Sequence, residues 1–114
     1  MKTGTTIKLI TVGRWMSTAE YDAMLNSGMV QESYSGTTHV LLPPDLYSFA
    51  RQARTGDVYV EFDVPEDSLK VTGAGWAKII GPQSLEGRVA ARNGRPLPKM
   101  PPAINLRRLA RKTL

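Results

Sequence analysis

Four groups of side chains in this 114-residue chain have the types and spacing to do chemistry. The first is Arg14, set between Gly13 and Trp15 where a strand should end. A planar guanidinium at a strand end can clamp a diphosphate through parallel N–H bonds. The same Arg can also be a surface residue stacked on its neighbouring Trp. The second group is Gly36-Thr37-Thr38-His39. Glycine admits close backbone approach, and the hydroxyls can orient a ribose or an arginine. His39 reads either as a ligand contact or as a half-buried strand residue. The third is Glu61, in mid-strand opposite four apolar residues, where a carboxylate enters a cleft or faces water. The fourth is Gln83-Ser84, after Gly81-Pro82 at an expected helix N-terminus. Such an end attracts anions, and Ser84 equally suits an ordinary N-cap.

Composition removes other chemistries. The chain has no Cys, which excludes disulfides, thiolate metal sites and cysteine nucleophiles. With one His, a multi-His metal cluster or a Ser/His/Asp triad has only His39 to draw on, and no metal is expected. Apolar residues at 41% and charged residues at 22% suit one globular domain of this length, 1–114, and not a disordered chain. No run approaches the ~18 apolar residues of a membrane span. Met1-Lys2-Thr3-Gly4-Thr5-Thr6 lacks the apolar stretch of a secretory signal. The expectation is a protein that works in a cytosol or is delivered by a larger carrier.

The elements that must position these residues are short. Thr6–Trp15 reads as a strand rich in β-branched residues. Ser17-Thr18-Ala19-Glu20 is a capping box opening a helix with Tyr21, Met24 and Leu25 on one face. Gly28 is placed to end it in the left-handed C′ conformation. Met29–Tyr34 and Thr37–Leu42 read as short strands. Pro44 should open a helix carrying Leu46, Phe49, Ala50 and Ala53. Val58–Val64 is the clearest strand, with Val58, Val60, Phe62 and Val64 on one face and Tyr59, Glu61 and Asp63 on the other. Trp76–Ile80 reads as a further strand, Ser84–Arg92 as a helix closed by Asn93-Gly94. The Pro-rich stretch 95–104 should run extended over the surface, and 105–114 as a short basic helix. The class is α+β, with two cross-packed antiparallel sheets and peripheral helices as one solution.

Charge is uneven. Residues 87–114 hold eight basic residues and no acid, so with a whole-chain net of +5 residues 1–86 carry −3. A basic C-terminal segment, 95–114 above all, can meet nucleic acid, phosphates or an acidic protein, or can simply be a solvated basic face. Aromatics are absent after Trp76, so stacking platforms for bases are missing there and nucleic acid is not the expected partner.

Several blocks together carry a family resemblance: Arg14-Trp15-Met16-Ser17, Val30-Gln31-Glu32-Ser33, Gly36-Thr37-Thr38-His39-Val40, Tyr59-Val60-Glu61-Phe62-Asp63-Val64-Pro65 and Gly75-Trp76-Ala77-Lys78-Ile79-Ile80-Gly81-Pro82. From about residue 10 to about residue 105 the chain resembles the C-terminal toxin domain of bacterial Rhs polymorphic proteins. Among these it is most similar to the ADP-ribosyltransferases that modify elongation factor Tu. The order Arg, hydroxyl-rich strand start, strand Glu is also the Arg–Ser/Thr–Glu order of ADP-ribosyltransferases.

The resemblance implies a split β-sandwich of two antiparallel sheets with an NAD cleft between them. It implies an antibacterial toxin carried into a neighbouring bacterium, by a type VI secretion system, and acting in its cytoplasm. The toxin would transfer ADP-ribose from NAD to elongation factor Tu and stop translation. The producing cell would hold a cognate immunity protein, and no membrane would be involved. Residue by residue, Arg14 would hold the NAD phosphates and nicotinamide ribose, with Trp15 and His39 beside it. Thr37 and Thr38 would brace the cleft, and Glu61 would be the catalytic acid. The chain departs from the family in having Tyr at 59, with no Glu-x-Glu or Gln-x-Glu. Gln83 or Glu86 is the alternative for the last catalytic position. A basic nuclease toxin of the same carrier class is the alternative function, with His39 and Glu61 as its acid and base.

Overall fold

Ser17 and Gly28 bracket the first helix as their types require. In the computed structural model, which describes residues 8–113, strand β1 (Leu9–Met16) runs into helix α1 (Thr18–Ser27). The Ser17 hydroxyl accepts the Glu20 N–H at 3.1 Å, and Gly28 closes the helix at φ 71°. Strands β2 (Thr37–Leu42), β3 (Val58–Pro65), β4 (Lys70–Gly73) and β5 (Gly75–Ile80) follow, then helix α2 (Leu85–Arg92) and strand β6 (Ile104–Arg111). Ser84 caps α2, accepting from the Gly87 N–H at 3.0 Å.

All strand pairs are antiparallel, in the order β4-β5-β2-β1-β3-β6. This corrects the expectation of two sheets: hydrogen bonding joins all six strands into one. The join at the centre is narrow. β1 pairs with β3 over eight positions but meets β2 at a single one, Gly13 opposite Leu41. Beyond that pair the strands part, and the sheet is close to two three-stranded halves.

Val12 and Met16 of β1, Val40 of β2, Val58, Val60, Phe62 and Val64 of β3, and Ala77 and Ile79 of β5 build the core under one face. Met24 of α1, Val30 and Ala103 complete it. Each fully buried Val or Phe contributes about 1.5–3 kcal/mol, so the alternating β3 pattern is the main apolar seam. Tyr59 is also fully buried, on the opposite face, so β3 is covered on both sides.

Three local expectations are corrected. Residues 29–34 form no strand beyond one bridge, Met29 to Pro102. The helix expected from Pro44 is a run of turns: the Asp45 carboxylate accepts from the Tyr47 N–H at 2.9 Å and the Ser48 hydroxyl at 3.0 Å, and Phe49 has φ 61°. A positive φ at a bulky residue cannot continue a helix. Residues 105–113 are not a helix either, because most of that stretch lies in β6, paired with β3 at the sheet edge, and Leu114 of the expected helix lies outside the described residues. Thr6 and Ile7 of the first expected strand lie outside the described residues.

Candidate functional site

The opening between β1 and β2 is where the chemistry-bearing residues gather. A cleft of about 260 Å³ sits there, lined by Gly13, Arg14 and Trp15 from β1, His39 and Leu41 from β2, and Trp76 from β5. Its outer wall is the loop between β2 and β3, through Phe49, Gln52, Ala53 and Asp57. The Trp76 ring meets Phe49 at 4.2 Å and the edge of His39 at 6.1 Å, both measured between ring centroids. The Trp15 indole N–H donates to the Leu46 carbonyl at 3.2 Å, which ties the loop to β1. Phe49, at φ 61°, contributes its ring to this wall. The cleft is therefore an aromatic-walled slot with one guanidinium and one carboxylate in its lining.

Arg14 spans the opening. Extending the register of Gly13 and Leu41 would pair Trp15 with His39; instead Arg14 Nη1 donates to the His39 carbonyl at 2.9 Å. Its Nε and Nη2 reach the two oxygens of Glu20 at 2.6 and 3.2 Å. In the sequence Glu20 stands as the last residue of the capping box alone. Its carboxylate is drawn to Arg14 instead, six residues away across the strand-to-helix turn. An Arg and a Glu flanking that turn were the signal that could have revealed the pair.

Glu61 is adjacent to the cleft floor without being in its lining. Register sets it directly opposite Gly13, so both belong to the same face of the sheet. The Tyr59 hydroxyl donates to Glu61 at 3.0 Å. Burial first, then that hydrogen bond and the Glu61 charge, push the Tyr59 phenol far above its ordinary value, so it stays a neutral donor. On the other side Arg107 of β6 approaches Glu61 at 4.0 Å and Asp63 at 3.6 Å. Asn105, then Thr11 and Arg107, hold the Asp63 carboxyl below the usual carboxylate range.

The remaining sequence candidates do different work. Thr38 is fully buried; its hydroxyl donates to the Gln31 carbonyl at 2.8 Å and accepts from the Ser33 N–H at 3.1 Å. It pins the strand start and does not line the cleft. Thr37 is half-buried one position earlier, also outside the lining. Gln83 is exposed and lies away from the cleft, before α2. The anion expected at that helix start is supplied by the chain: a Glu32 carboxylate oxygen accepts the Gln83 backbone N–H at 2.7 Å. Glu86 pairs with Lys78 at 3.2 Å. The structure therefore brings Arg14, Trp15 and His39 together, adds Trp76, Phe49 and Glu20, and keeps Gln83 apart.

A family model described as TreTu toxin, C-terminal domain, matches residues 9–107 of the chain, from the first residue of β1 into β6. No curated protein matches it.

Proposed function

The chain belongs to the TreTu toxin C-terminal domain family and is a toxin domain, and from that premise we propose that it is an NAD-dependent mono-ADP-ribosyltransferase acting on elongation factor Tu. The observation that carries this reading is Arg14, fixed at the mouth of an aromatic-walled cleft where the central sheet nearly divides. We read that near-division as the split core of an ADP-ribosyltransferase.

A cleft of about 260 Å³ falls just below the usual size of ligand pockets, ~300–1,000 Å³. It fits one aromatic ring with its ribose better than a whole dinucleotide. In this reading Trp15, Trp76 and Phe49 flank the nicotinamide ring, and Arg14 donates to the phosphates lying outward along the opening. Thr38 braces the start of β2 through its bonds to Gln31 and Ser33. Nicotinamide is already a cationic leaving group, so breaking its bond to ribose needs little acid or base and mainly stabilisation of a developing oxocarbenium charge. Glu61, held by the Tyr59 hydroxyl one strand from Gly13, is the carboxylate we assign to that role, ahead of the more distant Gln83 and Glu86. A carboxylate on the target, or a guanidinium nitrogen that gives up a proton to a base, then attacks the ribose carbon as the bond to nicotinamide breaks and neutral nicotinamide departs.

The carrier belongs to the same proposal: an Rhs protein delivered by type VI secretion into a bacterium whose translation the toxin stops. A cognate immunity protein protects the producer. The basic residues of β6 suit an acidic partner.

The test is a bacterial lysate incubated with the domain and labelled NAD, followed by mass spectrometry of labelled proteins. A dominant band at elongation factor Tu, with the mass shift of one ADP-ribose, is expected. Arg14→Ala and Glu61→Ala should each lower labelling by about 10²–10³. A different labelled protein would keep the chemistry and change the target. No label, with nucleic acid degraded in its place, would replace the transferase with a nuclease.

A further inference from the structure

Arg14 borders the cleft from the core face of β1, opposite Val60, with most of its hydrogen-bonding edge already occupied. A guanidinium has five N–H donors. Nε and one N–H of Nη2 go to Glu20, and one N–H of Nη1 goes to the His39 carbonyl. What remains is one N–H on each terminal nitrogen, the number needed for a two-point contact with a single phosphate.

The pair is not a loose surface bridge. The Arg14 and Glu20 side chains are 19% and 20% exposed, and the contact is two-pronged. Exposed pairs are screened and contribute little, whereas this one is largely withdrawn from water. Nor does the Glu20 carboxylate turn back to the Ser17 N–H as a capping box would have it: both its oxygens accept from Arg14. Its fixed partner is a side chain of the cleft lining.

We propose that Glu20 is a positioning residue: it clamps the Arg14 guanidinium so that its two remaining N–H groups meet one phosphate of the dinucleotide. The proposal rests on the reading of Arg14 as an NAD contact. Glu20 touches no substrate. It neutralises the Arg14 charge, so the phosphate is selected by donor geometry more than by net attraction. It also holds a rotamer-rich side chain in one pose across the β1/β2 opening. Without it Arg14 keeps its charge and loses its aim.

The experiment compares wild type, Glu20→Ala and Glu20→Gln for NAD consumption, melting temperature and the NMR signal of the Arg14 Nε–H. Glu20→Ala should lower kcat/KM for NAD by about 10–100-fold, the scale of a misplaced catalytic contact. Its Arg14 Nε–H signal should lose protection from solvent exchange, and the protein should still melt cooperatively. Glu20→Gln keeps an oxygen acceptor and should restore the protected signal and most of the activity. A folded Glu20→Ala protein that consumes NAD as fast as wild type overturns the clamp and leaves the NAD reading standing. A wild-type protein that consumes no NAD, with or without elongation factor Tu, overturns both.

Discussion

The Tyr59 hydroxyl lies against the bare α-carbon of Gly13, in the space a β-carbon there would fill, and from that position donates to Glu61 at 3.0 Å. One missing side chain thus sets the height of a buried phenol over β1, and the phenol sets the direction of the carboxylate beside the cleft. Gly13 is also the residue at the single pairing of β1 with β2. Gly13→Ala should therefore destabilise the fold by about 1–3 kcal/mol, the cost of overpacking a closed site. Urea unfolding measures this. A variant as stable as wild type would mean Tyr59 can withdraw freely, and the account of Glu61 being aimed by it would fail.

Thr37 and Thr38 look interchangeable in sequence but should separate on mutation. Thr38→Val leaves the Gln31 carbonyl and the Ser33 N–H without their buried partner, a loss of about 1–3 kcal/mol. The Thr37 hydroxyl makes no hydrogen bond among the described residues, so Thr37→Val should change stability by no more than ~0.5 kcal/mol. Equal losses from the two, read from denaturant midpoints, would contradict the different roles assigned to them.

How far the sequence reveals this arrangement depends on whether a signal is local. Ser17, Gly28 and Ser84 act within one helical turn, and each cap is where its residue type places it. The alternation of β3 is uninterrupted and equally plain. β6 is hidden because its pairing with β3 shifts register twice, between Tyr59 and Val60 and between Glu61 and Asp63. Each shift resets which residues face inward, so Ile104, Leu106 and Leu109 keep no single period and a helix looks as good as a strand. Leu46, Phe49, Ala50 and Ala53 do have helical spacing, but Asp45 captures the Tyr47 N–H and the positive φ of Phe49 ends any helix. At the site, Arg14, Trp15 and His39 are legible by type. The Arg14–Glu20 pair is signalled only by an Arg and a Glu flanking one turn, and the Trp76–Phe49 wall depends on how the chain folds back, which residue spacing does not encode.

Asp63 predicts an acid limit. Its carboxylate accepts from Thr11 at 2.7 Å and from Asn105 at 3.0 Å, with Arg107 at 3.6 Å. Its folded pKa is depressed, mainly by Asn105 and then Thr11. A depressed carboxylate stabilises the fold fully above its unfolded value, about 3.9, and loses that contribution as pH falls through the folded value. Asp63→Asn should be less stable than wild type at neutral pH and converge with it below pH ~4. Urea midpoints at several pH values test this, and curves that stay parallel into acid would remove Asp63 as a source of pH dependence.

Lys112 predicts that the end of the described chain holds the cleft wall. Its Nζ donates to the Ala50 carbonyl at 2.7 Å, its N–H donates to the Asp57 carbonyl at 2.7 Å, and its carbonyl accepts the Gly56 N–H at 2.8 Å. Three bonds join it to the middle and to the β3 end of the loop that carries Phe49. Removing residues 112–114 takes away all three bonds, including the acceptor of the Gly56 N–H, and should speed hydrogen exchange of that amide by at least about 2–10-fold, the scale of one net hydrogen bond. Lys112→Ala, which keeps both backbone bonds, should leave that amide slow. Identical exchange in the full and shortened chains would detach the loop from this anchor.

Both tryptophans of the chain line the cleft, so intrinsic fluorescence should report its occupation directly. Trp15 and Trp76 are each half-buried, and Trp76 lies between Phe49 and the His39 edge. A ring entering the slot must displace water from an indole face or stack on it. Titration with NAD should therefore quench the emission in a saturable way. Trp76→Phe retains an aromatic wall and the remaining tryptophan, so it should keep binding while removing part of the quenching. Arg14→Ala should shift the titration to higher NAD without changing the quenching at saturation, because it acts on the phosphates and not on the ring. If neither tryptophan responds while the protein still consumes NAD, the ring lies elsewhere and the β1/β2 opening is not where the dinucleotide sits.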